Sequence, residues 1–184
     1  MKGKIRSLLE WKSGSVQEAP LGKKEYDNTQ NEQQAAGIKQ ILQLFGISGD
    51  TANENFQKEI GHTRVSFWDC PLNRDYAERL RSDNLPLTEA KSENRINRIA
   101  GTADPRQTER VPAGAQFDFK LTVKQFDGDE ETLLDTLLQG LKLLEWDSLG
   151  GNGSRGYGKV AFTAITRNGE DISSCFAAIQ PFAK

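Results

Sequence analysis

The sequence has few of the residues that build disulfide frameworks or zinc sites. Its 184 residues include two cysteines, Cys70 and Cys175, and a single histidine, His62. The cysteines lie far apart and form no C-x-x-C pair, so a disulfide framework or a His/Cys zinc site is disfavoured. This shortage predicts a protein of a reducing, cytoplasmic environment.

Long hydrophobic runs and an excess of positive charge are also missing. No window approaches the roughly 18 consecutive apolar residues of a membrane-spanning helix, so we expect no membrane partner. The 24 lysines and arginines face 26 aspartates and glutamates, which gives a formal net charge of −2. That balance argues against a protein that coats nucleic acid by charge alone. It confines any nucleic-acid site to a local basic patch.

The spacing of apolar residues predicts a mixed α+β chain. Apolar residues at helical spacing predict helices over 1–11, 34–45 and 129–144. Alternation of apolar and polar residues predicts strands over 63–69, 116–124 and 160–166. Polar composition predicts loops over 12–34 and 46–61. In the clearest strand, Phe117, Phe119, Leu121 and Val123 are expected on the buried side. The order of elements indicates helices on one face of an antiparallel sheet.

A glycine-rich segment, residues 149–159 with the sequence LGGNGSRGYGK, is the first candidate site. Its G-x-G-x-x-G pattern lies after a predicted helix and before a predicted strand, the reverse of a dinucleotide fingerprint. Its glycine amides could instead converge on phosphate, with Arg155 and Lys159 adding charge and Tyr157 stacking on a base. The alternative is a connector whose glycines only make the turn.

Two further stretches concentrate basic residues. Lys2, Lys4 and Arg6 surround the start of the first predicted helix, where positive charge opposes the helix dipole unless an anion binds there. Residues 91–115 carry four arginines and two prolines, as a semi-rigid basic loop or hairpin would. A long excursion of this kind is typically functional or disordered. Solvated, salt-bridged surface segments remain the alternative in both places.

Signs of an enzyme are few. No nucleophile elbow is present, and His62 lies beside a glycine in a predicted loop, as a surface histidine would. Asp69, Glu93, Asp104 and Glu109 could bind a divalent metal, but their spacing is not diagnostic. The residues themselves therefore assign no catalytic and no metal-binding side chain.

Three segments together carry a family resemblance: KGKIRSLLE, KSENRINRIAGTADPRQTERVPAGAQFDF and LGGNGSRGYGKVAF. Their order and content resemble the repeated backbone subunit of type III-A CRISPR effector complexes, the Csm complexes, in the RAMP superfamily of RNA-binding proteins. The resemblance implies one RRM-like (ferredoxin-like) domain over 1–184. It further implies a lid insertion within 12–90 and a protruding thumb hairpin within 91–115.

The same resemblance implies a function. Copies of such a subunit stack along CRISPR RNA together with other subunits of the complex, and each thumb kinks the duplex of guide and target RNA. The RNA-binding residues that the resemblance assigns to this chain are Lys2, Lys4, Arg6, Arg98, Arg106, Arg110, Gly151, Gly153, Ser154, Arg155 and Lys159.

The chain departs from the family pattern at its start. Family members have a strand and a loop before the first helix, and that loop carries the aspartate for target cleavage with Mg²⁺ or Mn²⁺. We therefore expect an N-terminally shortened subunit that lacks the first strand, contacts RNA and does not cut it. Two alternatives stay open: a stand-alone metal-dependent ribonuclease that uses carboxylates such as Asp69, and a non-catalytic protein-interaction module.

Overall fold

The computed structural model describes residues 1–29, 31–47 and 54–182. The chain divides into two compact units, a first unit of residues 1–67 and 121–184 and a second unit of residues 68–120. The helices described are α1 (Lys2–Lys12), α2 (Lys23–Asn28), α3 (Glu32–Phe45), α4 (Glu54–Ile60), α5 (Arg74–Ser82), α6 (Thr132–Trp146) and α7 (Ser173–Ala178). The strands described are β1 (Val65–Phe67), β2 (Glu89–Ile96), β3 (Ala103–Arg110), β4 (Leu121–Val123), β5 (Thr166–Arg167) and β6 (Glu170–Asp171).

A layer of helices holds the core of the first unit. Lys4 of α1 contacts Asp147 just beyond α6, and Lys12 at the other end of α1 contacts Gln139, so the two helices run antiparallel. Helix α3 packs against both. The buried apolar side chains of these three helices include Ile5, Leu9, Ile38, Ile41, Leu42, Leu44, Leu133, Leu137, Leu141 and Leu144.

The close approach of α1 to α6 depends on a glycine. A Cβ atom on Gly140 would lie 2.6 Å from Ile5 Cγ2 and 3.0 Å from Leu9 Cδ1, so a larger residue would push the helices apart. The helices predicted over 1–11 and 129–144 are confirmed, each displaced by one to three residues. The helical spacing of leucine and isoleucine was enough to predict these helices, because each buries one continuous apolar stripe.

The third predicted helix, over 34–45, is also confirmed, although α3 begins two residues earlier, at Glu32. Its start is set by Asn31, whose side-chain oxygen accepts hydrogen bonds from two amides of the first turn. Its end is set by Gly46, which takes a positive φ of 91°. Both ends therefore have a local cause in the sequence.

Two short helices lie where polar composition predicted loops. Helix α2 falls within 12–34 and α4 within 46–61, and residues 48–53 of the second prediction lie outside the described residues. Phe56 and Ile60 of α4 are buried against the rest of the first unit. Two apolar residues are too few to produce a periodic pattern, yet they are enough to fix a short helix by tertiary packing.

Strands β1 and β4 pair antiparallel in the first unit, with Val65 opposite Val123. Each has three residues, whereas the alternating patterns predicted longer strands over 63–69 and 116–124. Val65 is buried and Val123 is half-buried. Both strands exist as predicted, but only the parts that pair with each other are regular.

The first part of the predicted strand at 116–124 differs most from the expectation. Phe117 pairs with Leu72 in an isolated bridge within the second unit. Its side chain is 47% exposed, so the prediction that it faces the core is wrong. Because the bridge is isolated, Phe117 has a single neighbouring segment and no sheet to cover its ring. An alternating sequence pattern is the same for a residue in a sheet and for a residue in an isolated bridge.

The prediction of a strand over 160–166 is also wrong for most of that range. Only its last residue lies in a strand, β5, which pairs with β6 around a turn at Asn168 and Gly169, both with positive φ. Upstream, the Phe162 N–H donates to Glu145 Oε1 at 2.7 Å instead of to a neighbouring strand, and Ala164 has a φ of 51°. A side-chain acceptor and a left-handed residue thus interrupt the run.

The second unit contains a long hairpin, β2–β3, whose register runs from Glu89↔Arg110 to Ile96↔Ala103. Asn97 closes its tip, because Asn97 Oδ1 accepts hydrogen bonds from the amides of Ile99 and Ala100. The basic excursion predicted over 91–115 is therefore mostly a hairpin, one of the two forms the sequence allowed.

The described residues as a whole form an α+β fold with three separate two-stranded antiparallel sheets. An RRM-like sheet and the lid stay predictions. None of the helices in the described part of the chain is long and apolar enough to cross a bilayer.

Candidate nucleic-acid interface

The glycine-rich segment, residues 149–159, is a closed loop that follows α6. The Leu149 N–H donates to the Gly158 carbonyl at 2.8 Å and so joins the two ends. A Cβ atom on Gly158 would lie 2.0 Å from the Leu149 oxygen, and Gly158 has a φ of 70°. Glycine is required here for both reasons.

The tip of this loop presents backbone amides. Asn152 is left-handed, with φ 58° and ψ 27°, and a single 3₁₀ turn over Gly153–Arg155 follows it. The amides of Gly153 and Ser154 make no hydrogen bond within the described residues, and Ser154 is exposed. Successive amides in a turn of this kind form a concave site that suits an anion.

Two lysines lie at the base of the loop. Lys159 Nζ donates to the Trp146 carbonyl at 2.9 Å, and Lys4 Nζ lies 2.6 Å from Asp147 Oδ2. The start of α1 therefore lies beside the end of α6, where the glycine-rich segment begins. The hydrogen bond from Lys4 to the charged carboxylate holds the pKa of Asp147 below its usual range. The structure thus brings together Lys4, Lys159 and the glycine-rich segment.

The start of α1 adds a second source of positive potential. Met1 occupies the cap position without a side-chain hydrogen bond, and no acidic residue lies in the first turn. The first amides of the helix carry the positive end of its dipole, and the half-exposed Lys2 adds positive charge beside them. An anion bound there would offset this potential.

Arg6 makes internal contacts that the sequence pattern did not indicate. Its Nε lies 2.7 Å from Glu10 Oε1, and its two terminal nitrogens donate to the carbonyls of Gly46 and Leu21. Glu10 is itself buried. This guanidinium therefore ties α1 to two loops, and RNA contact by Arg6 stays a prediction beside that structural role.

The arginines of the hairpin lie in different surroundings. Arg110 Nε lies 2.6 Å from Glu89 Oε1 on the opposite strand, and Arg106 Nη2 lies 3.4 Å from Asp104 Oδ2. Arg98 is exposed in the turn at the tip, beside Ile99. Two of the three predicted arginines are thus ion-paired within the hairpin.

Tyr157 does not have the position expected of a base-stacking residue. Its side chain is only 7% exposed, and it anchors the glycine-rich segment to the first unit. The prediction that its ring stacks on a base is wrong, because a buried ring has no open face.

Two glycines near the basic groups are not required by the fold. Gly3 in α1 and Gly151 in the loop both lack a positive φ, and a Cβ atom on either would meet nothing within 4 Å. Such positions leave the backbone accessible to an external group. Gly3 is not among the contacts that the sequence predicted, although a glycine inside a predicted helix is a visible signal.

The described residues contain no group of three or more His, Cys, Asp or Glu side chains that could hold a metal ion. Asp69, one of the candidate carboxylates, lies on the surface of the second unit.

Sequence comparisons identify relatives across nearly the whole chain. The family model of the RAMP superfamily matches residues 1–161. Three curated relatives, each named CRISPR system Cms endoribonuclease Csm3, come from Methanothermobacter thermautotrophicus, Streptococcus thermophilus and Methanocaldococcus jannaschii. Their identities are 35% over 178 residues, 37% over 169 and 34% over 168, in each case covering 90% of this chain. The chain spans about two thirds of their length, at 65%, 67% and 61% respectively.

Proposed function

The chain belongs to the RAMP superfamily, and from this premise we propose that it is an RNA-binding backbone subunit of a type III-A CRISPR effector complex. The observation that carries the proposal is the match of 90% of the chain, at 34–37% identity, to three proteins that share one name. Its partners are CRISPR RNA, target RNA, further copies of the chain and other subunits of the complex.

The glycine-rich segment and the start of α1 hold the phosphate backbone of the guide RNA. The amides of Gly153 and Ser154, which make no hydrogen bond within the described residues, and the nearby Lys4 and Lys159 support this role, because amides and lysines bind phosphate without reading sequence. A guide-binding subunit needs this property, since base pairing itself supplies the specificity. Gly151, Lys2 and Arg155 extend the same surface.

The hairpin acts as the thumb that kinks the guide–target duplex. Its eight-residue strands and its tip, where Arg98 and Ile99 are exposed, support the proposal. An apolar side chain beside a cation suits insertion between stacked bases. The RRM-like core, the lid within 12–90 and assembly of copies along the guide belong to the same proposal.

We further propose that this chain holds target RNA without cutting it. The alternative is a stand-alone ribonuclease, which the word endoribonuclease in the names of the relatives favours, and the exposed Asp69 is its candidate carboxylate. Incubation of the purified chain with labelled RNA and Mg²⁺ or Mn²⁺ tests the alternative. Cleavage that is lost in Asp69→Ala would identify a stand-alone ribonuclease and contradict our proposal.

The proposed interface is tested by changing its cations. Arg155→Ala with Lys159→Ala should lower affinity for a single-stranded RNA and reduce the slope of log K against log salt by about 1.4, at about 0.7 for each phosphate contact. The matched control is Lys58→Ala with Arg167→Ala, which removes the same charge at exposed positions of the first unit. The control should retain most of the affinity and the slope.

Equal effects of the two double variants would mean that only net charge matters. No effect of either would leave the glycine-rich segment as a connector and favour a protein-interaction module. Circular dichroism of each variant shows whether the fold is retained.

A further inference from the structure

The β2–β3 hairpin has two chemically different faces. Alternate residues of a strand point to opposite sides, and directly opposed residues share a side. From the register, the charged face consists of Glu89, Lys91, Glu93, Arg95, Asp104, Arg106, Thr108 and Arg110. The neutral face consists of Ala90, Ser92, Asn94, Ile96, Ala103, Pro105, Gln107 and Glu109.

The charged face is largely neutralised by its own ion pairs. Glu89 pairs with Arg110, and Lys91 Nζ lies 3.2 Å from Glu93 Oε1. These four residues are also half-buried. The face therefore offers a polyanion fewer available cations than the number of its basic residues suggests.

The neutral face has the opposite character. Ser92 and Gln107 lie directly opposite each other, and Asn94 lies two residues along β2, about 6.6 Å away at about 3.3 Å per residue. All three are exposed, and within the described residues their side chains make no hydrogen bond. The charged member of this face, Glu109, is negative and accepts a hydrogen bond from Thr88.

This composition identifies the kind of ligand. Protein interfaces are enriched in aromatic residues, methionine and arginine and depleted in serine and alanine, which is the reverse of this face. Phosphate is bound most strongly by cations, and this face has none. Hydroxyl and amide groups such as those of Ser92, Asn94 and Gln107 both donate and accept, as the ribose 2′-hydroxyl and base edges do.

We infer that the neutral face contacts the minor-groove side of an RNA duplex through ribose 2′-hydroxyls, and that Ser92, Asn94 and Gln107 distinguish RNA from DNA in the strand paired with the guide. This inference rests on the proposed function, because it requires that the hairpin meets a guide–target duplex. It gives the hairpin a recognition role in addition to the mechanical one.

Binding of the full 184-residue chain to two 20-base-pair probes tests the inference. Both probes contain the same RNA strand, paired with complementary RNA or with complementary DNA. The unaltered chain should bind the RNA duplex about tenfold more tightly. The triple variant Ser92→Ala, Asn94→Ala, Gln107→Ala should bind the RNA duplex about tenfold more weakly and the hybrid unchanged, because the lost hydrogen bonds require 2′-hydroxyls.

Thr108→Ala is the matched control. It removes a hydroxyl from the residue next to Gln107, on the charged face, and should preserve the tenfold preference. A complementary RNA strand with 2′-O-methyl groups keeps the duplex geometry but lacks the hydroxyl donors, so its binding to the unaltered chain should resemble that of the hybrid. The three side chains substituted in the triple variant are exposed, so the melting temperature of the protein should not change.

The outcomes separate the two proposals. If the unaltered chain binds neither probe, the proposed function fails and this inference fails with it. If it binds both and the triple variant keeps the same preference, the inference alone is overturned. A triple variant that changes self-association in sedimentation experiments while RNA binding is intact would assign the face to a second copy of the chain and also overturn the inference.

Discussion

The glycine-rich segment and the hairpin were both predicted to hold RNA, but they use charge in opposite ways. At the base of the glycine-rich segment, Lys159 is held by a backbone carbonyl, which leaves its positive charge without a neutralising carboxylate in that contact. In the hairpin, Arg106 and Arg110 face carboxylates within the same pair of strands. Counting basic residues therefore overestimates the positive potential of the hairpin. Pairing decides which cations remain available for phosphate.

The hairpin also differs from the interior of the first unit in how deeply its ion pairs lie. In the first unit Arg64 Nη2 lies 2.8 Å from Asp129 Oδ1, with side chains only 7% and 4% exposed, and the guanidinium lies 5.0 Å from the Phe126 ring. The hairpin pair of Arg110 and Glu89 is half-exposed. Buried and surface pairs should respond very differently when one partner is removed.

The largest expected effect is therefore that of Asp129→Ala. Removal of this carboxylate leaves the Arg64 guanidinium buried without its counter-charge and should lower the free energy of unfolding by about 3–5 kcal/mol. Glu89→Ala in the hairpin should lower it by less than about 1 kcal/mol. Urea unfolding of both variants measures the difference, and similar losses would show that the two regions are energetically equivalent.

The second comparison concerns glycines with positive φ. Gly158→Ala should destabilise the chain by about 3 kcal/mol and disrupt RNA binding, because the new Cβ atom would clash with the Leu149 carbonyl oxygen and displace the Leu149 N–H that closes the loop. Gly101→Ala at the hairpin tip meets no atom within 4 Å and should cost about 1 kcal/mol, from the φ of 67° alone. Unfolding midpoints and RNA affinity measure both effects. Retention of full RNA binding by Gly158→Ala would contradict the role of the loop.

A third prediction separates stability from binding. Gly3→Ala in α1 and Gly37→Ala in α3 both place a methyl group in open space within a helix, and each should stabilise the chain by up to about 1 kcal/mol. Only Gly3→Ala should weaken RNA binding, by several-fold, since Gly3 lies at the proposed phosphate surface. If the two variants bind RNA equally well, Gly3 is not a contact.

The smallest effect is expected from Asp147, whose pKa is held down by Lys4. A depressed pKa contributes stability that is present above the ordinary aspartate pKa of about 3.9 and is lost as pH falls through the folded-state value. Asp147→Asn should therefore lose less stability than the unaltered chain between pH 5 and pH 2 (roughly the span of such a titration). At pH 7 it should bind RNA slightly more tightly, because Lys4 is released.

Urea titrations at several pH values and RNA affinities at pH 7 check this prediction. An acid dependence identical to that of the unaltered chain would show that the exposed pair of Lys4 and Asp147 adds nothing to stability. A loss of RNA affinity at pH 7 would show that the carboxylate positions Lys4 instead of competing for it.

Local patterns predicted the three longest helices well and the strands poorly. The leucine stripe of α6 and the Asn31 cap of α3 specify helices through contacts within a few residues. The predicted strand at 160–166 depended on partners that local alternation cannot reveal, and there the Glu145 carboxylate took the Phe162 amide instead. Helices satisfy their hydrogen bonds internally, whereas strands need a distant partner.

The candidate site shows the same division. The glycines and basic residues of the glycine-rich segment were evident in the sequence, and so was the resemblance that led to the RAMP superfamily. The internal role of Arg6 and the burial of Tyr157 were not, because each depends on residues distant in the chain.

By itself the sequence determined the family, the main helices and the chemical type of the site, because these depend on residue identity and short-range spacing. The tertiary structure decided which cations are paired, which glycines the fold requires and which face of the hairpin remains neutral. Those properties depend on distances between residues far apart in sequence, such as the 2.6 Å between Arg110 and Glu89. Electrostatic pairing and steric exclusion both act over a few ångströms of space and not over positions in a chain.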